Sequence, residues 1–356
     1  MNIRRFARLI RSEALLQAIL ALVVGLGIGA VIMAILGYDP WKAYAALFEG
    51  SFGNHYSIAN TFSRATPLIL TAMTFAIGVR AGLFNIGAQG QMVFGALVAV
   101  AVGTLALPVG LHIVVALLLA MLAGALWGLP AAYLKTSRGV NEVVTTIMLN
   151  WIATWLATYL ILTFLNDPVR GERSIRVALT ARLPNIVMGS DLSYAIFCSV
   201  AFAVGAYWIL WHMTPGFELR SSGFNVEASR YAGMTPGRSI RWAFVLGGLA
   251  AGLAGATQVL GRYPHALDTR LDVLATLGFD GIAVALVGRN HPLGIVAAGL
   301  FFGALQAGAG MMGFRANVPI DMIRVVQGTI VLAIAAPEVW KLLREHIPRL
   351  QVKRTE

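Results

Sequence analysis

The sequence is poor in charge and in cysteine, and each shortage excludes a class of protein. Only 12% of the 356 residues are Asp, Glu, Lys or Arg, whereas 58% are hydrophobic. Soluble domains carry about 25% charged residues, and a soluble chain of this composition would expose too much apolar surface. The single cysteine, Cys198, excludes an intrachain disulfide and a cysteine-based metal site. This composition indicates an integral membrane protein.

Motifs for nucleotide binding and for catalysis are also missing. The sequence has no G-x-x-x-x-G-K-[ST] loop, no strand-associated G-x-G-x-x-G, no serine elbow and no kinase signature. Its six histidines are scattered, with no H-E-x-x-H pair. We therefore expect a chain that is not an enzyme and that binds neither a metal nor a cofactor. The net charge is +11, but the basic residues form no stripe with interleaved aromatics, so no nucleic-acid partner is expected.

Long apolar segments predict an all-α membrane protein of about ten transmembrane helices, since a span needs about 20 apolar residues. The predicted spans are 14–37, 66–79, 82–106, 112–134, 143–165, 193–212, 242–261, 273–288, 293–311 and 321–336. Two of them, 66–79 and 273–288, are short. Short segments with glycine interruptions are typical of the broken helices found in transporters.

The basic residues predict how the chain is oriented. With both termini in the cytoplasm, which requires an even number of spans, 17 of the 27 Lys and Arg residues fall on the cytoplasmic side. The ten spans divide at the polar loop 166–192 into repeats at 14–165 and 193–336. Five spans are an odd number, so the second repeat would enter the membrane in the opposite sense. We expect a single transmembrane domain, 1–356, built as a five-plus-five inverted repeat with short or broken central helices.

The longest loop assigned to the cytoplasm is 213–241. Two Thr-Pro-Gly breaks, at 214–216 and 235–237, flank the sequence NVEASRYA, which predicts a short helix with Asn225 as its N-cap. Such a helix can dock a partner, or the segment can simply be a solvated connection.

Polar side chains inside the predicted spans are the candidates for lining a solute pathway. They are Asn85, Gln89, Asn150, Gln258, Asp280 and Gln306. Asp280 is the only acidic residue well inside a predicted span, and an intramembrane carboxylate usually faces a cavity or a partner. The alternative for every candidate is that it only holds helices together.

Four segments carry a family resemblance. The runs GLFNIGAQGQMVFGA, RGVNEVVTTIMLNWIA, LRSSGFNVEASRYAGM and GFDGIAVALVGRNHPLG resemble permease subunits of the ABC importers that take up nucleosides, simple sugars and branched-chain amino acids. The second and fourth runs are most similar to the nucleoside branch. The resemblance extends over nearly the whole chain, from about Leu15 to Ala336.

The resemblance implies a set of partners. Two ATPase subunits would bind ATP and Mg on the cytoplasmic side, and an external solute-binding protein would deliver the solute. A second, related permease chain is expected, with a heterodimer favoured and this chain resembling the longer of the pair. The complex would lie in the lipid bilayer of a bacterial inner membrane.

The resemblance also assigns 218–233 as the coupling helix, which would contact the ATPase. The coupling residues would be Glu218, Arg220, Asn225, Glu227, Arg230 and Tyr231. The segment departs from the family pattern at 221–224, where Ser-Ser-Gly-Phe replaces a more usual Ala-Val-Gly-Glu. The ATPase surface that this segment fits is therefore open.

The expected function is ATP-driven uptake of nucleosides by alternating access. Within the same class of transport, the solute could instead be a simple sugar, riboflavin or a purine base. A different class is a secondary transporter driven by an ion gradient. That class would normally show more intramembrane ionisable residues than Asp280.

Overall fold

The computed structural model describes residues 13–346. The basic residues of 1–12 and 347–356, which contributed to the predicted orientation, lie outside this range. Within it, the chain forms thirteen α helices and one 3₁₀ turn. The helices are α1 Glu13–Ile35, α2 Pro40–Phe52, α3 His55–Arg80, α4 Ala88–Gly103, α5 Leu111–Arg138, α6 Glu142–Phe164, α7 Ala195–His212, α8 Thr214–Phe224, α9 Val226–Tyr231, α10 Pro236–Leu260, α11 Asp272–Val287, α12 Pro292–Ala316 and α13 Met322–His346.

The ten predicted spans each correspond to one apolar helix of this set. Helices α3, α5, α6, α7, α10 and α12 are long and apolar enough to cross a membrane, and shorter apolar helices lie within α1, α4, α11 and α13. The all-α membrane class is therefore confirmed. The inverted relation between the two halves stays a prediction.

Helix α3 is much longer than the short span predicted at 66–79. It begins at His55, after an N-cap in which the Asn54 side chain accepts a hydrogen bond from Ser57 N. Its first turns are polar, which lowers their hydropathy, but their side chains find partners inside the protein. Thr61 donates to Ser51 O at 2.9 Å, and Ser63 donates to Asp191 O at 2.9 Å. The short span predicted at 273–288 is confirmed as α11, which has 16 residues.

Helix α2 was not predicted, because its apolar residues are too few for a span. It has a strong start signal: Pro40 lies in the first turn, and the Asp39 carboxylate accepts from Trp41 N at 3.0 Å and Lys42 N at 3.2 Å. Its buried face packs against α12, where Ser51 Oγ donates to Ala304 O at 2.6 Å. Amphipathic helices of this kind escape a search for long apolar runs.

The centre of the bundle is formed by α3 and α10. In each of them 78% of the most apolar window is buried, against 28%, 22% and 33% in α5, α6 and α7. Glycines allow the close packing: a Cβ added at Gly252 of α10 would clash with Ala120 O of α5, and one added at Gly95 of α4 would clash with Gly252. Small residues at helix contacts let backbones approach closely, as in other membrane bundles.

The loops collect at two opposite ends of the bundle. At one end of the bundle, the C-terminus of α3 contacts α8, where Gly223 packs against the backbone of 80–82. At the other end, the segment 165–194 covers the helices. There His112 contacts Thr180 Oγ1 at 2.8 Å, and Thr158 donates to Thr269 O at 3.1 Å. The end of α3 also meets the start of α6, where Phe84 N donates to the Glu142 carboxylate at 3.3 Å, and the turn after α11, where Arg80 donates to Asn290 O at 2.9 Å. These loops, which were predicted to be cytoplasmic, thus share one end, which we call the α9 end.

Candidate functional site

Asp280 and Gln306 are brought together at a cavity of about 220 Å³. Asp280 lies on α11 and Gln306 on α12, and Gln306 Nε2 donates to Asp280 Oδ2 at 2.9 Å. Both side chains are half-buried. A carboxylate accepts hydrogen bonds but donates none, so this bond fixes which end of the Gln306 amide faces Asp280. The two candidates from the sequence therefore form one polar unit.

Three arginines from distant segments line the same cavity. Arg64 lies on α3, Arg262 on the loop after α10, and Arg324 on α13. Arg262 pairs with Asp191 at 3.3 Å, and Arg324 pairs with Asp321 at 3.3 Å. The cavity wall therefore combines guanidinium groups with carboxylates of opposite charge.

A larger cavity of about 600 Å³ lies next to the first. Gln258, another predicted pathway residue, contributes to its wall. Arg262 and Val273 line both cavities, so the two spaces adjoin. Together they fall within the usual size of small-molecule sites.

Asn85 and Asn150, by contrast, are used in helix packing. They are 2% and 4% exposed. The Asn150 side chain accepts from Gly90 N at 2.8 Å and donates to Ile86 O at 3.0 Å, and Asn85 Oδ1 accepts from Gly87 N at 2.9 Å. Neither residue lines the Asp280 cavity. The geometry favours the alternative for this pair, which is that they hold helices together.

Gln89 occupies an intermediate position. It is half-buried, with Nε2 at 3.5 Å from Thr154 Oγ1 of α6. Its backbone and Cβ lie where a side chain on Gly278 of α11 would be. Gln89 therefore packs against the helix that carries Asp280, at a position two residues before it, but it does not line that cavity.

Sequence reasoning missed Gln327, although it lies within the predicted span 321–336. Gln327 lines the Asp280 cavity and is 6% exposed. Among the described residues its Nε2 has no hydrogen-bond partner. A polar residue inside an apolar span is the criterion that selects Gln306 as a candidate, and Gln327 meets the same criterion. The arginines of the wall gave no comparable signal, because they lie at or beyond the predicted span ends.

The short helix predicted in the loop 213–241 is confirmed as α9. Asn225 is its N-cap, and the side chain accepts from Ala228 N at 3.0 Å. The structure adds α8 directly before it. The first Thr-Pro-Gly break indeed follows the end of α7 at His212, but Pro215 also begins α8, as proline commonly does in a first turn.

The surface of α9 is exposed and carries both charge and aromatic rings. Glu227 and Arg230 pair at 3.2 Å with side chains 79% and 62% exposed. Tyr231 is 97% exposed and Phe224, just before the helix, is 96% exposed. Asn225 is exposed as well. Four of the six predicted coupling residues therefore lie on this surface.

The other two predicted coupling residues, Glu218 and Arg220, lie on α8 and are half-buried. The Arg220 side chain packs against other residues of the protein. The Arg220 guanidinium lies 5.2 Å from the ring centroid of Trp211, and Arg80 lies 5.3 Å from the same ring. Both distances are within the range of cation–π contacts.

This group links α8 to the pathway helices. Arg80 Nε donates to Asn290 O at 2.9 Å and its Nη2 donates to Arg289 O at 3.3 Å, in the turn between α11 and α12. We call Arg80, Trp211, Arg220 and Asn290 the Trp211 junction. Through it, α8 is connected to the turn that ends α11, and α11 carries Asp280.

Comparison with known proteins gives one matching family model and several relatives. The model of the branched-chain amino acid transport system / permease component family matches residues 57–335. The guanosine ABC transporter permease protein NupP of Bacillus subtilis is 38% identical over 92% of this chain and 94% of its own length. The nucleoside ABC transporter permease protein NupB of Lactococcus lactis is 33% identical, covering 91% and 92%. The glucose ABC transporter permease protein TsgB13 of Haloferax volcanii is 31% identical, covering 92% and 89%.

These matches extend over the helices and loops described above. The family model begins in the first turn of α3 and ends within α13, so it includes both cavities, the Trp211 junction and α9. The relatives match almost their whole length, which leaves no large part of them without a counterpart here. The chain therefore belongs to the branched-chain amino acid transport system / permease component family, and it is a multi-pass membrane permease subunit of an ABC importer.

Proposed function

We propose that this permease imports nucleosides, driven by ATP hydrolysis in partner subunits. The observation that carries the proposal is the polar cavity at Asp280 and Gln306, in a chain that is 38% identical to a guanosine permease protein. A nucleoside is polar and uncharged, and it suits a wall of amides in which Arg262 and Arg324 are held in ion pairs. The two cavities would be part of the solute pathway, with Gln258 and Gln89 beside it.

The exposed surface of α9 would dock the ATPase subunits. Its two exposed aromatic rings and the exposed Arg230 are residue types that are enriched at contacts between proteins. ATP and Mg would be bound by those partners, so no cofactor is assigned to this chain. An external solute-binding protein and a second, related permease chain would complete the importer, with a heterodimer favoured by the resemblance to the longer chain of a pair.

The Trp211 junction would carry movement from the ATPases to the pathway. ATP binding would shift α9 and α8, and Arg220 and Arg80 would pass the shift through Trp211 to the turn that ends α11. Alternating access needs an element that both the ATPases and the solute can bias. The packed group of α8, Trp211 and the 288–291 turn supplies a continuous physical link of that kind.

Helix packing supports the proposed inverted repeat of 14–165 and 193–336. Counting apolar helices, α3 is second in the first half and α10 second in the second half. Helix α3 packs on α11 and α12, and α10 packs on α4 and α5. Exchanging the two halves converts one set of contacts into the other, as a pseudo-two-fold axis would require.

The proposed setting is the inner membrane of a bacterium, with both termini in the cytoplasm. The α9 end carries Lys135, Arg138, Arg230, Arg238 and Arg241, in agreement with a positive inner face. Orientation and docking support each other here, because ATPase subunits act from the cytoplasm.

A simple sugar is the second candidate solute, and one observation favours it. The glucose permease protein TsgB13 is 31% identical to this chain, close to the 33% of the nucleoside permease NupB. Identity at this level does not separate the two solute classes. A transport measurement must therefore include both.

The test is solute-dependent ATP hydrolysis by the whole importer. The chain would be co-purified with the ATPase, binding protein and second permease encoded beside it, and reconstituted in lipid. We expect nucleosides, and not hexoses, to stimulate hydrolysis. Arg230→Ala and Glu227→Ala should weaken ATPase binding and lower stimulated hydrolysis several-fold, since both side chains lie on the exposed docking surface.

Lys42→Ala is the matched control, because Lys42 is an exposed partner of an i,i+3 ion pair on the other end of the bundle. It should leave ATPase binding unchanged. If the chain recruits no ATPase, and uptake into vesicles follows a proton or sodium gradient, the proposed mechanism is wrong.

A further inference from the structure

The cavity at Asp280 carries polar groups that the protein itself does not satisfy. Gln306 Nε2 is committed to Asp280 Oδ2, and within the described part of the chain this is the one hydrogen bond that the carboxylate receives. Asp280 Oδ1 and Gln306 Oε1 are then two acceptors on one wall. The Gln306 amide cannot turn round without placing its oxygen against a carboxylate oxygen. The positions of the two free acceptor oxygens are therefore fixed by the hydrogen bond between Asp280 and Gln306, and not by either residue alone.

Gln327 adds a group of the opposite kind. Its side chain is 94% buried and reaches the same cavity, yet Nε2 has no partner among the described residues. A buried donor without an acceptor costs about 1–3 kcal/mol, so an acceptor on a solute bound in this cavity would stabilise the site. The last side-chain torsion of glutamine is broad, and in the proposed complex a rotation about it would present the N–H to the cavity.

We propose that Asp280, Gln306 and Gln327 read the hydrogen-bonding edge of a guanine base. Asp280 Oδ1 and Gln306 Oε1 offer two acceptors and Gln327 Nε2 offers a donor, on a wall that also carries the guanidinium groups of Arg64, Arg262 and Arg324. The Watson–Crick edge of guanine presents two donors, N1–H and the 2-amino group, and one acceptor, O6. This inference rests on the proposed function, because it names the base within the nucleoside class.

Other solutes match the three groups less well. Hypoxanthine retains N1–H and O6 but lacks the amino group, so one acceptor of the site would lose its partner. Adenine presents one amino donor and an unprotonated N1, which would face an acceptor. A vicinal diol of ribose or of a hexose also presents two adjacent donors, so it shares part of the chemistry and must be distinguished by experiment.

The volumes of the two cavities are large enough for a base and its sugar. The cavity of about 220 Å³ at Asp280 is small, and Arg262 and Val273 connect it with the neighbouring cavity of about 600 Å³. The base would occupy the smaller space and the ribose would extend into the larger one. Gln258, on the wall of the larger cavity, would then lie nearer the sugar than the base.

The experiment compares uptake of guanosine, inosine, 2′-deoxyguanosine and glucose by the reconstituted importer. Each solute is supplied with saturating binding protein, so that the step after delivery is measured. Asp280→Asn replaces an acceptor by a group that can donate. In the proposed pose Asp280 Oδ1 accepts from the 2-amino group and Gln306 Oε1 accepts from N1–H. We therefore expect the variant to lower guanosine uptake more than inosine uptake, with the guanosine-to-inosine ratio falling roughly 10- to 150-fold, the range for one lost hydrogen bond to a charged group.

Gln327→Glu should behave differently, because it removes the donor to O6, which both bases carry. Guanosine and inosine uptake should fall together, and their ratio should stay near the wild-type value. Thr104→Val is the control: Thr104 lines neither cavity, and its hydroxyl donates to Ala101 O three residues earlier at 2.8 Å. It should leave both uptake rates and their ratio unchanged.

The outcomes separate this inference from the proposed function. If the wild type transports glucose and no nucleoside, the nucleoside proposal fails. If it transports nucleosides but Asp280→Asn lowers guanosine and inosine equally, base recognition at this cavity is wrong. A specific loss of preference for guanosine over 2′-deoxyguanosine would mean that the cavity reads the ribose diol instead. Should Asp280→Asn fail to assemble, 1-methylguanosine tests the wild type: blocked N1–H should lower its uptake by a similar factor.

Discussion

Asn150 shows how a single amide can organise two helices. It lies two turns into α6, and its oxygen accepts from Gly90 N in the first turn of α4. The first four N–H groups of a helix have no partner within it, so Asn150 caps α4 from a neighbouring helix. Its nitrogen donates to Ile86 O in the non-helical segment before α4. The residue therefore fixes the place where α4 begins.

We expect Asn150→Leu to destabilise the permease by about 1–3 kcal/mol, because it leaves a buried N–H and a buried C=O unpaired. The midpoint of thermal unfolding of the purified importer in detergent should fall. Thr145→Val is the control, since the Thr145 hydroxyl donates to Asn141 O at the N-cap of the same helix and not across helices. Unchanged unfolding with lost uptake would instead give Asn150 a role in the pathway.

At the same scale, Gln306 and Gln327 show what residue type alone can and cannot indicate. Both are polar residues in apolar spans, and that signal identifies candidates. It does not distinguish Gln306, which lines the cavity with a partner, from Asn150, which packs between helices. The difference depends on which helix faces each side chain, and that is a tertiary fact. Arg64, Arg262 and Arg324 meet for the same reason.

At the scale of elements, hydropathy located the ten apolar helices but not all of their ends. The start of α3 is polar and still helical, since neighbouring backbone oxygens accept from Thr61 and Ser63. Helix α9 was predicted correctly, because its N-cap residue is a local signal. Helix α8 was missed since Pro215 indicates a break and a new start equally well. Local signals predict starts, whereas length depends on packing.

The connection between elements gives the next prediction. Trp211→Ala removes the ring against which Arg80 and Arg220 pack. ATPase binding should persist, because the α9 surface is unaltered, and basal hydrolysis should continue. Nucleoside uptake per ATP hydrolysed should fall about tenfold or more, since α8 and the 288–291 turn lose their common contact. Uptake and hydrolysis would be measured on the same proteoliposomes.

Two further variants sharpen that measurement. Trp211→Phe retains an aromatic face and should keep more coupling than Trp211→Ala. Trp208→Ala is the matched control, because Trp208 stacks on His212 one turn away and is 60% exposed. It should leave the ratio of uptake to hydrolysis near that of the wild type. Equal effects of Trp208→Ala and Trp211→Ala would contradict a specific role for the junction.

At the scale of the whole molecule, charge and shape define two different ends. The α9 end carries the exposed docking surface and the basic residues after α5 and before α10. The opposite end is covered by 165–194, a segment tied to the helices by contacts such as His112 with Thr180. The two ends can therefore interact with different partners. The proposed inner and outer partners require that these ends lie on opposite sides of the membrane.

Sided labelling tests this arrangement. In a Cys198→Ser background, single cysteines would replace Ser137 and Glu227 at the α9 end and Gly171 at the other. All three positions are exposed, and a side chain at Gly171 meets no neighbour within 4 Å. One apolar helix, α6, separates 137 from 171, and another, α7, separates 171 from 227.

An impermeant maleimide should label positions 137 and 227 in inside-out vesicles, and position 171 in right-side-out vesicles. Labelling of all three from one side would show that α6 and α7 do not each cross the membrane, which contradicts ten spans. The reverse pattern would keep the spans but turn α9 outward, and ATPases in the cytoplasm could then not dock there.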